Sequence, residues 1–273
     1  MSLISTYPFI GSRGLVLIAL TIFAVPAQSE SEHSNNPPPA QSESDSSTIY
    51  PQYAVVSGRT YSEWSAAWQQ WAMSMPATAH PLTDTADCST AQSGPVWFLG
   101  GRFCVQGASS PASCDNTPTA RSCTVPAGKS LYFPILNIEC LDAEAQNGDC
   151  IGPTPNGVNT LLFPYPAQIR QVLGEHMDMT KDLQLTVDGK PYKGDIKKQF
   201  RVQSPVYTVQ TPEGNLLQAA FGEKIGAGEY WGVDDGVYVM LKPLRKGAHT
   251  INFKGTFPQY NFSLDFTYNI IQQ

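Results

Sequence analysis

Basic residues are scarce in this chain: 17 Lys and Arg stand against 23 Asp and Glu, for a net charge of −6. That balance lacks the massed positive face with which a nucleic-acid binder neutralises phosphates, and nucleic acid is excluded as a partner. The lysines that do gather, Lys190, Lys193, Lys197 and Lys198 with Arg201, and those around Lys242–Lys246, read as a solvated face. The local signatures of common catalysis are also missing: no G-x-S-x-G, H-E-x-x-H or C-x-x-C occurs. The "AGKS" at 127–130 is not a phosphate loop, because Cys123 stands where that motif needs glycine and an apolar strand pattern follows instead of a helix. No cysteine lies outside 88–150, and no internal repeat is visible.

What is present begins with an apolar run, Gly14–Val25, preceded by Arg13 and closed by Val25-Pro26-Ala27. A positive charge, a short hydrophobic core and small residues at −3 and −1 describe a cleavable secretory signal over 1–27. The run is shorter than the ~20 apolar residues that span a bilayer. The polar, Ser-, Glu- and Pro-rich stretch after it buries too little surface to offset ordering entropy, so 28–52 reads as a disordered linker containing His33. The foldable domain is then 53–273, with a possible subdivision near 180.

Six cysteines in a chain addressed to an oxidising compartment predict three disulfides. The expected pairing is Cys88–Cys123, Cys104–Cys114 and Cys140–Cys150, the latter two closing short turn-rich loops. Zinc is disfavoured for want of closely paired cysteines.

"TYSEWSAAWQQWAM" at 60–73 holds three of the five tryptophans. On a helical wheel Tyr61, Trp64, Ser65, Trp68, Trp71, Ala72 and Met75 share one arc, while Ser62, Glu63, Gln69, Gln70 and Ser74 take the rest. Thr60 and Glu63 have capping-box spacing, and Pro76 supplies a stop. The pattern predicts a helix over 61–75 whose indoles face a core. Burying them is worth on the order of 10–20 kcal/mol gross. A second helix is expected at 167–179, with Ile169, Val172, Leu173, His176 and Met177 on one face.

The remainder reads as strand. In 261–270, Phe262, Leu264, Phe266, Tyr268 and Ile270 alternate with polar residues. Asp188-Gly189 is a hairpin signal, and Pro134 marks a bulge or edge position within an apolar run. Asp234-Asp235-Gly236 reads as a turn before the strand "VYVML". The expected fold is mainly β: a two-layer antiparallel β-sandwich with two peripheral helices.

"SGPVWFLGG", "CTVPAGKSLYFPILNIEC" and "DGVYVMLKPLRKGAHTINFKG", in that order, resemble a family of secreted, mostly bacterial proteins over most of 58–270. The resemblance implies an extracytoplasmic location and supplies no catalytic residues; the Cys104–Cys114 loop is an addition to its pattern. Candidate catalytic groups come from the residues alone: Glu139, Asp142, His176 and Asp235, and Asp234-Asp235 could pair with Glu139 as glycosidase-like carboxylates if the fold unites them. Asp142, Glu144 and Asp149 offer alternate oxygens to calcium, although Gly148 comes one place late and no bidentate Glu closes the loop. His176, on an apolar helix face, is read as a hydrogen-bonded core residue. Asn261-Phe262-Ser263 is a glycosylation acceptor only in a eukaryotic host. The expectation is a non-catalytic binding or envelope-associated protein with an extracellular ligand and no cofactor. The alternatives are a carboxylate hydrolase of glycans or peptides and a calcium-dependent adhesion module.

Overall fold

A computed structural model describes residues 48–103, 116–142, 144, 165–221 and 225–273. All of them fall within one compact unit. The Cys104–Cys114 loop, Asp149 and Cys150 lie outside the described residues.

Two sheets account for most of the chain. The first is ordered β1 (Val96–Phe98), β3 (Ser130–Leu141), β8 (Gly228–Leu241), with β6 (Arg201–Gln203) and β7 (Tyr207–Thr211) both on the far side of β8. The second runs β2 (Thr119–Val125), β10 (Phe262–Gln272), β9 (Gly247–Phe257), β4 (Lys181–Val187), β5 (Lys190–Pro191). Phe133 of β3 stacks on Phe253 of β9 at 5.1 Å between ring centroids, which marks the dry interface between the layers. The chain is a mainly β two-sheet sandwich with few helices, as its alternating segments imply.

The expected helices form as α1 (Tyr61–Met73) and α2 (Pro166–Asp178), each starting or ending within two residues of its sequence prediction. Two short helices, α3 (Ile196–Phe200) and α4 (Leu216–Phe221), were not foreseen. Helix α1 begins on the reciprocal cap: Thr60 N–H donates to Glu63 Oε2 at 2.8 Å and Glu63 N–H to Thr60 Oγ1 at 3.3 Å. It lies across the outer face of the first sheet, where Tyr61 meets Tyr132 edge-on and Trp68 meets Tyr238. Helix α2 packs on the opposite face, through Ile169 and Leu173 against Val233 and Cys140.

Several expectations change on folding. The pairs β1–β3 and β2–β10 are parallel, so the sandwich is not purely antiparallel. Pro134 does sit at a register shift, but β3 is an interior strand flanked by β1 and β8. Asp188 and Gly189, at φ 49° and 75°, turn the β4–β5 hairpin. Asp234-Asp235-Gly236 is not a turn: it lies in the middle of β8. The glycine is required there because a Cβ would come within 2.6 Å of both Asn137 Cβ and a Tyr238 ring carbon. Residues 48–50, expected in the linker, extend the first sheet: Tyr50 N–H donates to Met240 O at 2.9 Å and Lys242 N–H to Thr48 O at 2.8 Å.

Candidate functional site

Register brings Glu139 of β3 directly opposite Asp234 of β8, on the face that α1 covers. Three donors converge on Asp234 Oδ1: Gln69 Nε2 at 2.6 Å from α1, Tyr238 Oη at 3.0 Å, and Asn137 Nδ2 at 3.1 Å. The second oxygen, Oδ2, is sealed from solvent without a hydrogen bond. Gln69 Oε1 is likewise sealed without a partner; Glu139 Oε2 and the Tyr207 hydroxyl are sealed from solvent too, and these two side chains hydrogen-bond each other. Glu139 as a residue is only half-buried, so its sealed oxygen is the inner one. Burial raises the Asp234 carboxyl to about 7, against the pull of its three donors. Burial, with Glu144 and Asp234 as like-charged neighbours, holds Glu139 well above the ordinary carboxylate range.

The backbone around Asp234 explains how a charged residue type occupies a core position. Strands β6 and β7 follow one edge of β8, interrupted at 204–206. Ser204 fills that break: its N–H donates to Asp234 O at 2.9 Å and its Oγ accepts from Asp234 N–H at 2.9 Å. Pro205 has no N–H to offer the ladder. A side chain thus replaces a missing strand partner and pins the residue.

The four catalytic candidates do not converge. Asp235 points from the other face of β8 and is consumed by a forked pair with Arg201 Nε and Nη2, both at 2.9 Å, and by Gln203 Nε2 at 2.9 Å. Arg201 also donates to Gly174 O at 2.9 Å and pairs with Asp178, so it is an inter-element clamp and not part of a solvated lysine face. His176 is buried on α2; Tyr260 Oη lies 2.5 Å from its Nδ1, and burial lowers its pKa. Glu144 Oε2 accepts from Leu141 N–H at 2.6 Å. Asp142 follows the end of β3, and among the described residues no group of three or more His, Cys, Asp or Glu is placed to hold a metal ion.

Sequence reasoning raised Asp234 as one of two adjacent acids that could meet Glu139, and the register selects it; Gln69, Asn137, Tyr207 and Tyr238 were missed. Gln69 was assigned to the wet side of the wheel, yet it is fully buried. Its position beside Ser65 and Ala72, one turn away in either direction, was the available signal.

His80 is another residue whose role only the fold reveals. Leu82 N–H donates to its Nδ1 at 3.0 Å, and its Nε2 donates to Ala72 O, at the end of α1, at 2.7 Å. That arrangement uses the neutral ring and leaves no acceptor for a second proton. Burial lowers its pKa to about 4. An unfolded histidine binds a proton below ~6.5, so this group withdraws stability as pH falls from there towards 4. The deficit of His80→Asn relative to wild type, measured by urea unfolding, should shrink by roughly 3 kcal/mol between pH 7 and pH 4. A pH-independent deficit would contradict the neutral-ring assignment.

A surface groove of ≈ 80 Å³ opens between the N-terminal segment and the β4–β5 hairpin, lined by Thr48, Ile49, Leu185, Val187, Asp188, Lys190 and Tyr192. At Asp188, Oδ2 lies 2.7 Å from His249 Nδ1 and Oδ1 accepts from Thr250 N–H at 2.9 Å. His249 Nε2 is 2.8 Å from Arg245 O. Both ring partners are acceptors, which favours the imidazolium; its pKa is raised because Asp188 and the Arg245 carbonyl outweigh partial burial.

The fold and its covalent tie define a two-sheet β protein pinned by Cys88–Cys123, with Cα atoms 5.7 Å apart. No helix among the described residues is long and apolar enough to cross a membrane. No family model matches the chain, and no curated protein matches it. Among solved structures, Amebosin overlaps 66% of this chain and 100% of its own at 11% identity and a TM-score of 0.21. A cysteine protease inhibitor from Entamoeba histolytica overlaps 57% of this chain and 88% of its own at 10% identity and a TM-score of 0.19.

Proposed function

We propose that this is an exported protein, secreted or periplasmic, that binds an extracellular ligand or envelope component without transforming it. The observation that carries the reading is the groove at the sandwich edge. It combines an aliphatic floor from Ile49, Leu185 and Val187 with a carboxylate, an ammonium and a phenol, the mixture with which binding sites orient a ligand. The N-terminal signal pattern, the disulfide and the motif resemblance support export. The groove lies where the β4–β5 hairpin, at the edge of the second sheet, meets Thr48 and Ile49, which extend the first.

The test is co-sedimentation of the purified exported protein with peptidoglycan sacculi and with envelope lipid vesicles. Retention with one of them, lost in the double variant Lys190→Glu, Tyr192→Ala and kept in Glu139→Gln, is the expected result. Absence of retention with both, or retention indifferent to the groove variant, would overturn the assignment.

One observation favours a second reading, a carboxylate hydrolase: register sets Glu139 and Asp234 directly opposite each other, the pair of acids that chemistry uses. Turnover of glycan or peptide substrates abolished by Glu139→Gln would select it.

A further inference from the structure

The geometry points to Asp234 as a proton-operated latch that fastens helix α1 to the first sheet, closed when the carboxyl is protonated and loosened when it ionises. Its polar tie to α1 is the Gln69 Nε2 contact at 2.6 Å. The amide donors and Tyr238 all serve Oδ1, while Oδ2 is buried and receives no hydrogen bond from the protein. A proton on Oδ2 makes the group neutral, and it can then remain sealed. Without that proton, a carboxylate oxygen is left buried and unpaired opposite Glu139, which disfavours the closed arrangement. Moving α1 outward admits water to Oδ2 and relieves that cost. Movement of the rest of the site is more constrained, because Asp234 is held by Ser204 through its backbone and Glu139 by the β3–β8 ladder.

The titratable groups that face Asp234 set the direction of the response. From β3 come Glu139 and Tyr132, from β7 Tyr207 and from β8 Tyr238; Asp235, paired with Arg201 on the other face of β8, adds its charge from behind, and Glu144 acts on the neighbours Glu139 and Tyr207. The carboxyls repel a new negative charge, and the tyrosines are held in their neutral form by burial. Helix α1 contributes Gln69, and His80 grips its last turn at Ala72 O. His80 acts with opposite sign, since opening frees it to take up a proton below ~6.5.

With the closed-state carboxyl at about 7 and the open-state one at its ordinary value of ~3.9, opening releases a proton between those limits. Opening is therefore promoted as pH rises through that window and levels off above it. Comparing wild type with Asp234→Asn cancels the His80 contribution, because both proteins carry it. Asparagine keeps an oxygen for the three donors and cannot ionise.

The experiment is native-state hydrogen exchange of the full exported chain at pH 5 and pH 7, corrected for intrinsic exchange. The ratio of α1 opening constants, wild type over Asp234→Asn, should rise about 50-fold across that interval. Amides of β9 and β10 in the second sheet should show no such rise. A ratio that stays flat, or one that rises equally in the second sheet, overturns the latch. So does millimolar calcium at pH 7 restoring wild-type protection as acid does, since the site would then be a cation site. Should Asp234→Asn fail to fold, the carboxyl carbon resonance of Asp234 in the wild-type protein decides the matter: titration in the ordinary carboxylate range also overturns it.

Discussion

Trp68→Ala is expected to lose about 3–5 kcal/mol of stability, a large share of what holds a domain of this size folded. The indole is 4% exposed and its Nε1 donates to Leu99 O at 2.7 Å. It meets the rings of Trp71 at 5.8 Å and Tyr238 at 6.2 Å, so truncation opens a cavity shared by α1 and β8. Gly100 has accommodated the ring: a Cβ there would lie 3.0 Å from Trp68 Cζ2. The substitution also strips the Leu99 carbonyl of its donor inside the core, adding about 1 kcal/mol or more. Trp68→Phe should recover most of the packing and none of the hydrogen bond, placing it between the two. Urea unfolding followed by far-ultraviolet circular dichroism measures all three. A loss under about 1 kcal/mol for the alanine variant would mean that α1 is not anchored by its indoles.

The paired substitution Cys88→Ser, Cys123→Ser should lower stability by roughly 4 kcal/mol on the loop-closure model, for a sequence separation of 35. The bond joins the loop after α1 to β2, and the native contacts near it are numerous enough to survive its removal. Gln92 Nε2 donates to Cys88 O at 3.0 Å and Phe98 O at 2.8 Å, and Phe98 N–H returns a bond to Gln92 Oε1 at 2.9 Å. Arg121 of β2 pairs with Asp84 and donates to Gly101 O at 2.8 Å. The variant should therefore keep its fold in buffer and unfold at lower urea. Trp71, whose Nε1 donates to Thr90 O at 3.2 Å within the same loop, should become more accessible to iodide. An unchanged urea midpoint would show that the loop is held by those contacts alone. Cys140 is also disulfide-bonded, and its bridge is untouched by this pair of substitutions.

The tryptophan helix of the first prediction could be read locally, whereas the Cys88–Cys123 bridge joins residues 35 apart and was expected only as the pair left after the two short loops. The reciprocal Thr60–Glu63 cap, the indole spacing and the Asp188-Gly189 turn depend on residues a few positions apart, whose geometry is set by backbone sterics and nearby hydrogen bonds. The alternation in β10 is of the same kind. The acidic site is different. Glu139 and Asp234 meet because the β3–β8 ladder adopts one register, shifted by an irregularity between Pro134 and Leu136. One residue of slip would put Asp235 on the α1 face and Asp234 with Arg201. Nothing local to "VDDGV" distinguishes those outcomes. The glycine that suggested a turn is instead there to let Asn137 and Tyr238 close over the strand.

Composition and short-range pattern were thus enough to determine a mainly β, cysteine-bearing domain with an inward-facing tryptophan helix, because periodicity and capping are properties of neighbouring residues. Which of two adjacent aspartates is sealed beneath that helix, which is neutralised by Arg201, and why Gln69 is dry were decided only by tertiary structure. The physical reason is that burial and charge pairing belong to contacts between distant segments, and those exist only once sheet register and layer packing have been set.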